Sequence, residues 1–289
     1  MIRPVSGHAA PGLLRLAPPR TDLATYAAAY VPIALILYAD VVREARLLVV
    51  GLLLFGFSYT LSRRSVLRWV WAAPIPIAVW LTWRTLSAPL AHPGGLDCAD
   101  AISPPAVWRL AQALLALGTL AVLMGVLAVK PAAIWWRRPT VPVAKLSVLG
   151  FFVAAPLGLL LGAAIARPYF GTFDLNVRDP MALVPGLIFS LSNAIGEEVI
   201  YRGAFMAFAG KVIGLRSALI IQAVVFGLAH AGAHFMGSPL LVIVAVGFGG
   251  YVCGLLTLKT RSLMLPIAVH AAIDLPVYAY FACRNPLPL

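Results

Sequence analysis

Long, unbroken stretches of apolar side chains constrain this chain more than anything else in it. They fall at about residues 23–39, 47–61, 69–90, 107–129, 146–166, 181–210, 217–236, 239–258 and 263–282. Most approach or exceed the roughly 20 residues a helix needs to cross a bilayer core of about 30 Å. The runs are continuous rather than alternating with period two, which points to helices and not to the strands of a membrane barrel. Of 289 residues, 62% are hydrophobic and 11% charged, whereas a soluble domain carries about 25% charge. The expected fold is therefore all-α: a polytopic transmembrane helical bundle of about nine membrane-spanning helices, with the lipid bilayer as its first partner.

The net charge of +12 does not point to nucleic acid. The basic residues punctuate the ends of the apolar runs, as the positive-inside rule describes. Arg63, Arg64 and Arg68 share one loop, and Lys130, Arg137, Arg138 and Lys145 another. Lys211 with Arg216, and Lys259 with Arg261, mark two more. The loop around His92–Pro105 carries Asp97 and Asp100 and no Lys or Arg. This alternation places the N-terminus in the cytoplasm and the C-terminus outside, with Arg43 and Arg46 dissenting, and the expected location is a bacterial inner membrane. Trp135-Trp136-Arg137-Arg138 reads as an interfacial anchor. Cys98 and Cys283 would both be external; they either pair in an oxidising compartment or are unrelated thiols.

Three regions follow. Residues 1–22 form a basic cytoplasmic tail, read as such because no clear cleavage site follows it. Residues 23–145 form a four-helix membrane region of unassigned role, with Arg84 its main intramembrane polar group. Residues 146–289 form the core in which the other polar groups lie. No internal repeat and no soluble domain is visible.

Within that core, Gly196-Glu197-Glu198-Val199-Ile200-Tyr201-Arg202 puts two carboxylates and a guanidinium into a segment read as one helix over about 184–210. Each charge at bilayer depth costs at least about 2.5–3.5 kcal/mol, so intramembrane charges mark function. Polar pairs recur at i, i+4 spacing on two later runs: Phe226 with His230, and His270 with Asp274. Residues so spaced share a helix face. The depths agree. Glu197 lies about 14 residues before Lys211, His230 about 14 after Arg216, and Asp274 about 13 after Arg261, so each lies about 20 Å from its loop at 1.5 Å per residue.

The residue types suggest a reaction. Glu198 precedes Arg202 by four residues, the better orientation for a helical ion pair, which leaves Glu197 free. A carboxylate and an imidazole around one water activate it for attack on a carbonyl. A second imidazole and another polar group stabilise the oxyanion that forms. The set suffices for peptide hydrolysis without a covalent intermediate. Ser192 and Cys253 are the other candidate nucleophiles. Phe226 is packing that holds the His230 rotamer, and Gly250-Tyr251-Val252-Cys253-Gly254 is a small-residue stripe for close helix contact.

Glu-Glu-x-x-x-Arg, Phe-x-x-x-His and His-x-x-x-Asp on successive membrane helices resemble the CPBP family of intramembrane glutamic proteases, which includes the CAAX prenyl endopeptidases. The resemblance covers roughly residues 180–282. It implies that Glu197 and His230 activate the water and that His270 and Asp274 stabilise the oxyanion. It also implies metal independence and a cavity open to the cytoplasm. The prenyl endopeptidases carry Asn where this chain has Asp274. An ionised carboxylate cannot donate to an oxyanion, so either Asp274 is protonated or it orients His270.

The expected function is an intramembrane endopeptidase acting near the C-terminus of a membrane-associated protein or peptide, prenylated or not, with catalytic residues Glu197, Glu198, Arg202, His230, His270 and Asp274 and no cofactor. Other readings are a non-catalytic scaffold or immunity protein on the same fold and a proton-coupled transporter. A zinc-dependent membrane protease is a further one, since His230-x-x-x-His234 with Glu197 forms a possible ligand set. A transporter calls for an inverted repeat, which the sequence lacks.

Overall fold

The computed structural model describes residues 23–42, 44–61, 68–87, 104–170, 183–231 and 240–282. Every regular element among them is helical. In lipid a backbone without water must satisfy its own polar groups, and a helix does so within one segment. The elements are α1 (Leu23–Val42), α2 (Ala45–Leu61), α3 (Arg68–Ala72), α4 (Ile75–Ser87) and α5 (Pro104–Val126). A short 3-10 turn, Pro131–Ile134, precedes α6 (Val141–Phe170) and α7 (Leu183–Glu197). A π-helical segment, Glu198–Phe205, leads into α8 (Met206–Ile213); α9 (Leu215–Leu228), α10 (Leu240–Thr260) and α11 (Met264–Ala282) complete the chain.

Among the described residues, three helices are long and apolar enough to cross a membrane by themselves: Ala106–Val126, Val141–Leu160 and Leu240–Thr260. Tyr30–Asp40, Leu215–Leu228 and Met264–Pro276 are shorter apolar helices. Large apolar side chains such as Phe152, Leu160, Leu240 and Leu241 point outward and are at least 69% exposed. In water such a surface would be a liability; in a bilayer it is the surface lipid requires. The helical class expected from the sequence is thus present, with these three candidate spans and the shorter apolar helices among the described residues.

Two runs differ from their expected form. The stretch 69–90 is not one helix: α3 and α4 are separated by a turn at Ala73-Pro74. Pro74 and Pro76 have no N–H to donate, so the hydrogen-bond ladder is interrupted there. The segment expected as one helix over 184–210 does run on without a loop, but its middle widens to π geometry over Glu198–Phe205. Single π turns inside α-helices frequently accompany functional sites, and all eight residues of this one are buried.

The π segment is the centre of the bundle. It touches α4, α7, α8, α9 and α10. Around it lies a buried apolar cluster that includes Trp80, Ile200, Tyr201, Phe205, Phe208, Phe226 and Leu263. Helix α11 packs along α6 and α7, α10 along α9, and α5 along α7. Of the N-terminal helices, α4 reaches the π segment and α5 reaches α7.

Candidate active site

Glu197 ends α7 and Glu198 begins the π segment, so adjacent carboxylates enter the core on a single turn. Both are buried, as is Arg202. Arg202 Nη1 lies 3.0 Å from Glu198 Oε1, the pairing expected from the i, i+4 spacing. The guanidinium stacks on Phe226, 3.9 Å from the ring centroid, and its Nε donates to the Gly250 carbonyl at 3.4 Å. Gln222 Nε2 donates to the same carbonyl at 2.9 Å. A buried guanidinium needs this many partners, because an unpaired charge there is costly.

Gly250 makes room for this arrangement. A Cβ at that position would come within 2.9 Å of Arg202 Nη2 and of Phe226 Cδ1. The small-residue stripe on α10 continues at Gly254, which faces Leu219 and Gln222 of α9. We expect Gly250→Ala to displace the guanidinium from Glu198 and to destabilise the protein by about 1–3 kcal/mol, as overpacking of a filled core does. Thermal melting in detergent measures this, and an unchanged midpoint would contradict the packing described.

His270 on α11 closes the cluster. Its Nδ1 lies 2.7 Å from Glu198 Oε1. Glu198 Oε1 also pairs with Arg202 Nη1 and accepts, so Nδ1 is the donor. Its Nε2 is 3.7 Å from Glu197 Oε2 and 3.5 Å from Asp274 Oδ2. Glu197 Oε2 is buried with no hydrogen-bond partner among the described residues. Asp274 Oδ2 also accepts from Asn193 Nδ2 at 2.7 Å, while Glu198 Oε1 is the closer carboxylate partner of the His270 ring.

His230 lies just beyond α9, in the turn that ends it, rather than on the helix as the spacing suggested. Its Nδ1 is 2.8 Å from the Phe226 carbonyl. A carbonyl only accepts, so Nδ1 carries a proton. Phe226 meets this imidazole edge to face with centroids 4.8 Å apart. Glu197 is within electrostatic reach of His230, His270, Arg109 and Arg202. Five of the six residues singled out in the sequence form a chain of close approaches from Arg202 to Asp274, and His230 joins them through Phe226, whose ring packs on His230, on His270 and under Arg202.

Two participants, Asn193 and Arg109, were not anticipated, and Arg84 was noted only as an intramembrane polar group. Asn193 precedes Glu197 by one helical turn and shares its face, so i, i+4 spacing was the signal that could have found it. Arg109 on α5 lies over Trp108 and Phe189, bonds Gln112, and brings positive charge toward Glu197 and Asp274. Arg84 on α4 donates from Nε to Asp40 Oδ1 at 2.8 Å, with a second contact from Nη2 to Oδ2. Thr85 Oγ1 also donates to Asp40. Arg84 Nη2 reaches the Ala229 carbonyl at 3.0 Å. One acid and one base in two apolar runs was the available sign of that pair.

Of the other candidates, Ser192 and Cys253 are both buried. Among the described residues no group of three or more His, Cys, Asp or Glu has the placement to hold a metal ion. His234, Cys98, Cys283, Arg63, Arg64, the acidic loop and the N-terminal tail lie outside the described residues.

The helices bearing this cluster can be compared with known proteins. Residues 179–276 match the family model for type II CAAX prenyl endopeptidase Rce1-like proteins. A search of curated proteins and one of solved structures returned no match. The Rce1-like segment spans α7 to most of α11 and contains all six sequence-derived candidates, while Asp40, Arg84 and Arg109 lie outside it. The matched family is named for an endopeptidase, and three helices among the described residues are long and apolar enough to cross a membrane.

Proposed function

We propose that this protein is an intramembrane endopeptidase that cleaves a membrane-associated peptide, near its C-terminus, with a water activated by Glu197 and His230. The observations that carry the reading are Glu197 Oε2, buried with no hydrogen-bond partner among the described residues, and His230, whose Nδ1 faces the Phe226 carbonyl and whose ring packs on the same Phe226 that lies against Arg202 and His270. Water held between Glu197 and His230 loses its proton to this pair and attacks the scissile carbonyl. Arg202 and the π turn keep Glu198 in place, and Glu198 in turn fixes His270. With both ring nitrogens protonated, His270 donates through Nδ1 to Glu198 and through Nε2 to the developing oxyanion. Asn193 stands beside it: one N–H of its amide is held by Asp274, which orients the second. The amide that prenyl endopeptidases place on the last helix enters here from α7. The proton taken from water then passes to the leaving amine.

In this reading residues 146–289 are the protease core, the charged loops lie in the cytoplasm, and the substrate is presented from that side. The test uses the purified full chain in vesicles with two internally quenched peptides. One is S-farnesylated on a C-terminal Cys-aliphatic-aliphatic-Met sequence, and the other is the same peptide without the lipid. Cleavage of either, undiminished by a strong chelator, supports a metal-free endopeptidase. Loss of cleavage on chelation that zinc restores would replace it with the zinc reading.

A further inference from the structure

The Asp40–Arg84 pair joins two N-terminal helices, and Arg84 carries one contact more than an ion pair requires. Its Nη2 donates to the carbonyl of Ala229, the residue directly before His230. Ala229 caps the C-terminal end of α9. The last carbonyls of a helix have no partner within it, and a cation there also meets the negative end of the helix dipole. Asp40 is 2% exposed. With Thr85 on the same carboxylate, it holds the guanidinium from behind. The line runs from α1 through α4 to the turn that presents His230. Arg84 is also within electrostatic reach of both His230 and Glu197.

We propose that Asp40 and Arg84 are positioning residues: they cap α9 from the N-terminal region and so set the place of the His230 imidazole relative to Glu197. The proposal rests on the reading of His230 as a base, and it assigns the N-terminal helices a part in catalysis that the Rce1-like segment does not contain. A purely structural ion pair and a cap differ in one respect. The pair is symmetric in its charges and the cap is not, since a carboxylate at position 84 cannot donate to a carbonyl.

The experiment follows from that asymmetry. Full-length protein in vesicles carries the exchange Asp40→Arg with Arg84→Asp, and in a second variant Arg84→Met with Asp40→Leu, which removes both charges from the buried site. Three quantities are read: the melting midpoint, hydrogen exchange over residues 226–231, and kcat and KM on whichever quenched peptide the parent protein cleaves. The expected result in each variant that folds is amide exchange in that stretch roughly fivefold faster, the scale of a lost helix-end contact. The companion change is a kcat lower by about 10- to 100-fold, as misplacement of a base by a fraction of an ångström to 1 Å produces, with KM within about twofold. Parental exchange and kcat in either variant overturn the proposal, as does a KM increase at constant kcat. If the parent protein cleaves neither peptide, the exchange result still decides the cap, and only the functional reading falls.

Discussion

Glu197→Gln is expected to lower kcat by at least about 10³-fold while leaving the protein folded and substrate binding nearly intact, within the range that removal of a general base covers. Glutamine keeps the shape and one acceptor oxygen, but it cannot take a proton. Nothing else in the cluster replaces it. Glu198 is committed to Arg202 and His270, and Asp274 to Asn193. The substitution also removes charge from a buried site, so the melting midpoint in detergent should not fall. Single-turnover cleavage of the quenched peptides reads the rate, and a membrane proteome compared between parent and variant strains reads the native substrate through fragments that disappear. Cleavage persisting at the parental rate would remove Glu197, and the water mechanism with it.

Glu198→Ala is expected to act on stability as much as on rate. It leaves the Arg202 guanidinium buried without its carboxylate and His270 Nδ1 without an acceptor. Breaking one side of a buried ion pair costs about 3–5 kcal/mol, whereas replacing both partners with apolar groups of similar size is often neutral. Glu198→Leu with Arg202→Met should therefore melt closer to the parent than Glu198→Ala does, yet remain inactive, because His270 has still lost the group that orients it. A double variant that recovers both stability and activity would show that the pair serves only packing. A single variant with a parental midpoint would show that the charge is not buried as described.

The membrane character and the helical class were legible from the apolar runs alone, because lipid leaves a chain few ways to satisfy its backbone. The cluster was legible too, since charge in an apolar segment is costly and therefore conspicuous. Glu198 with Arg202 is a local pair, and local pairs follow from spacing. The π geometry of Glu198–Phe205 carried no such signal, nor did the Ala73-Pro74 break within a run whose hydropathy is unbroken. Asp40 with Arg84 was harder still. The two are 44 residues apart and Arg84 meets Ala229 across 145, and no periodicity encodes which of several similar helices face one another.

The sequence by itself determined that this chain is built of apolar helices and that its acids and imidazoles fall on three late segments. Only the tertiary structure decided what each of those groups touches: that His270 leans on Glu198, that Asp274 holds Asn193, and that the first helices reach the turn carrying His230. Burial cost is a property of a residue and its neighbours along the chain, so it can be read in one dimension. Partnership depends on helix rotation and packing between distant segments, and those are settled only when the whole bundle closes.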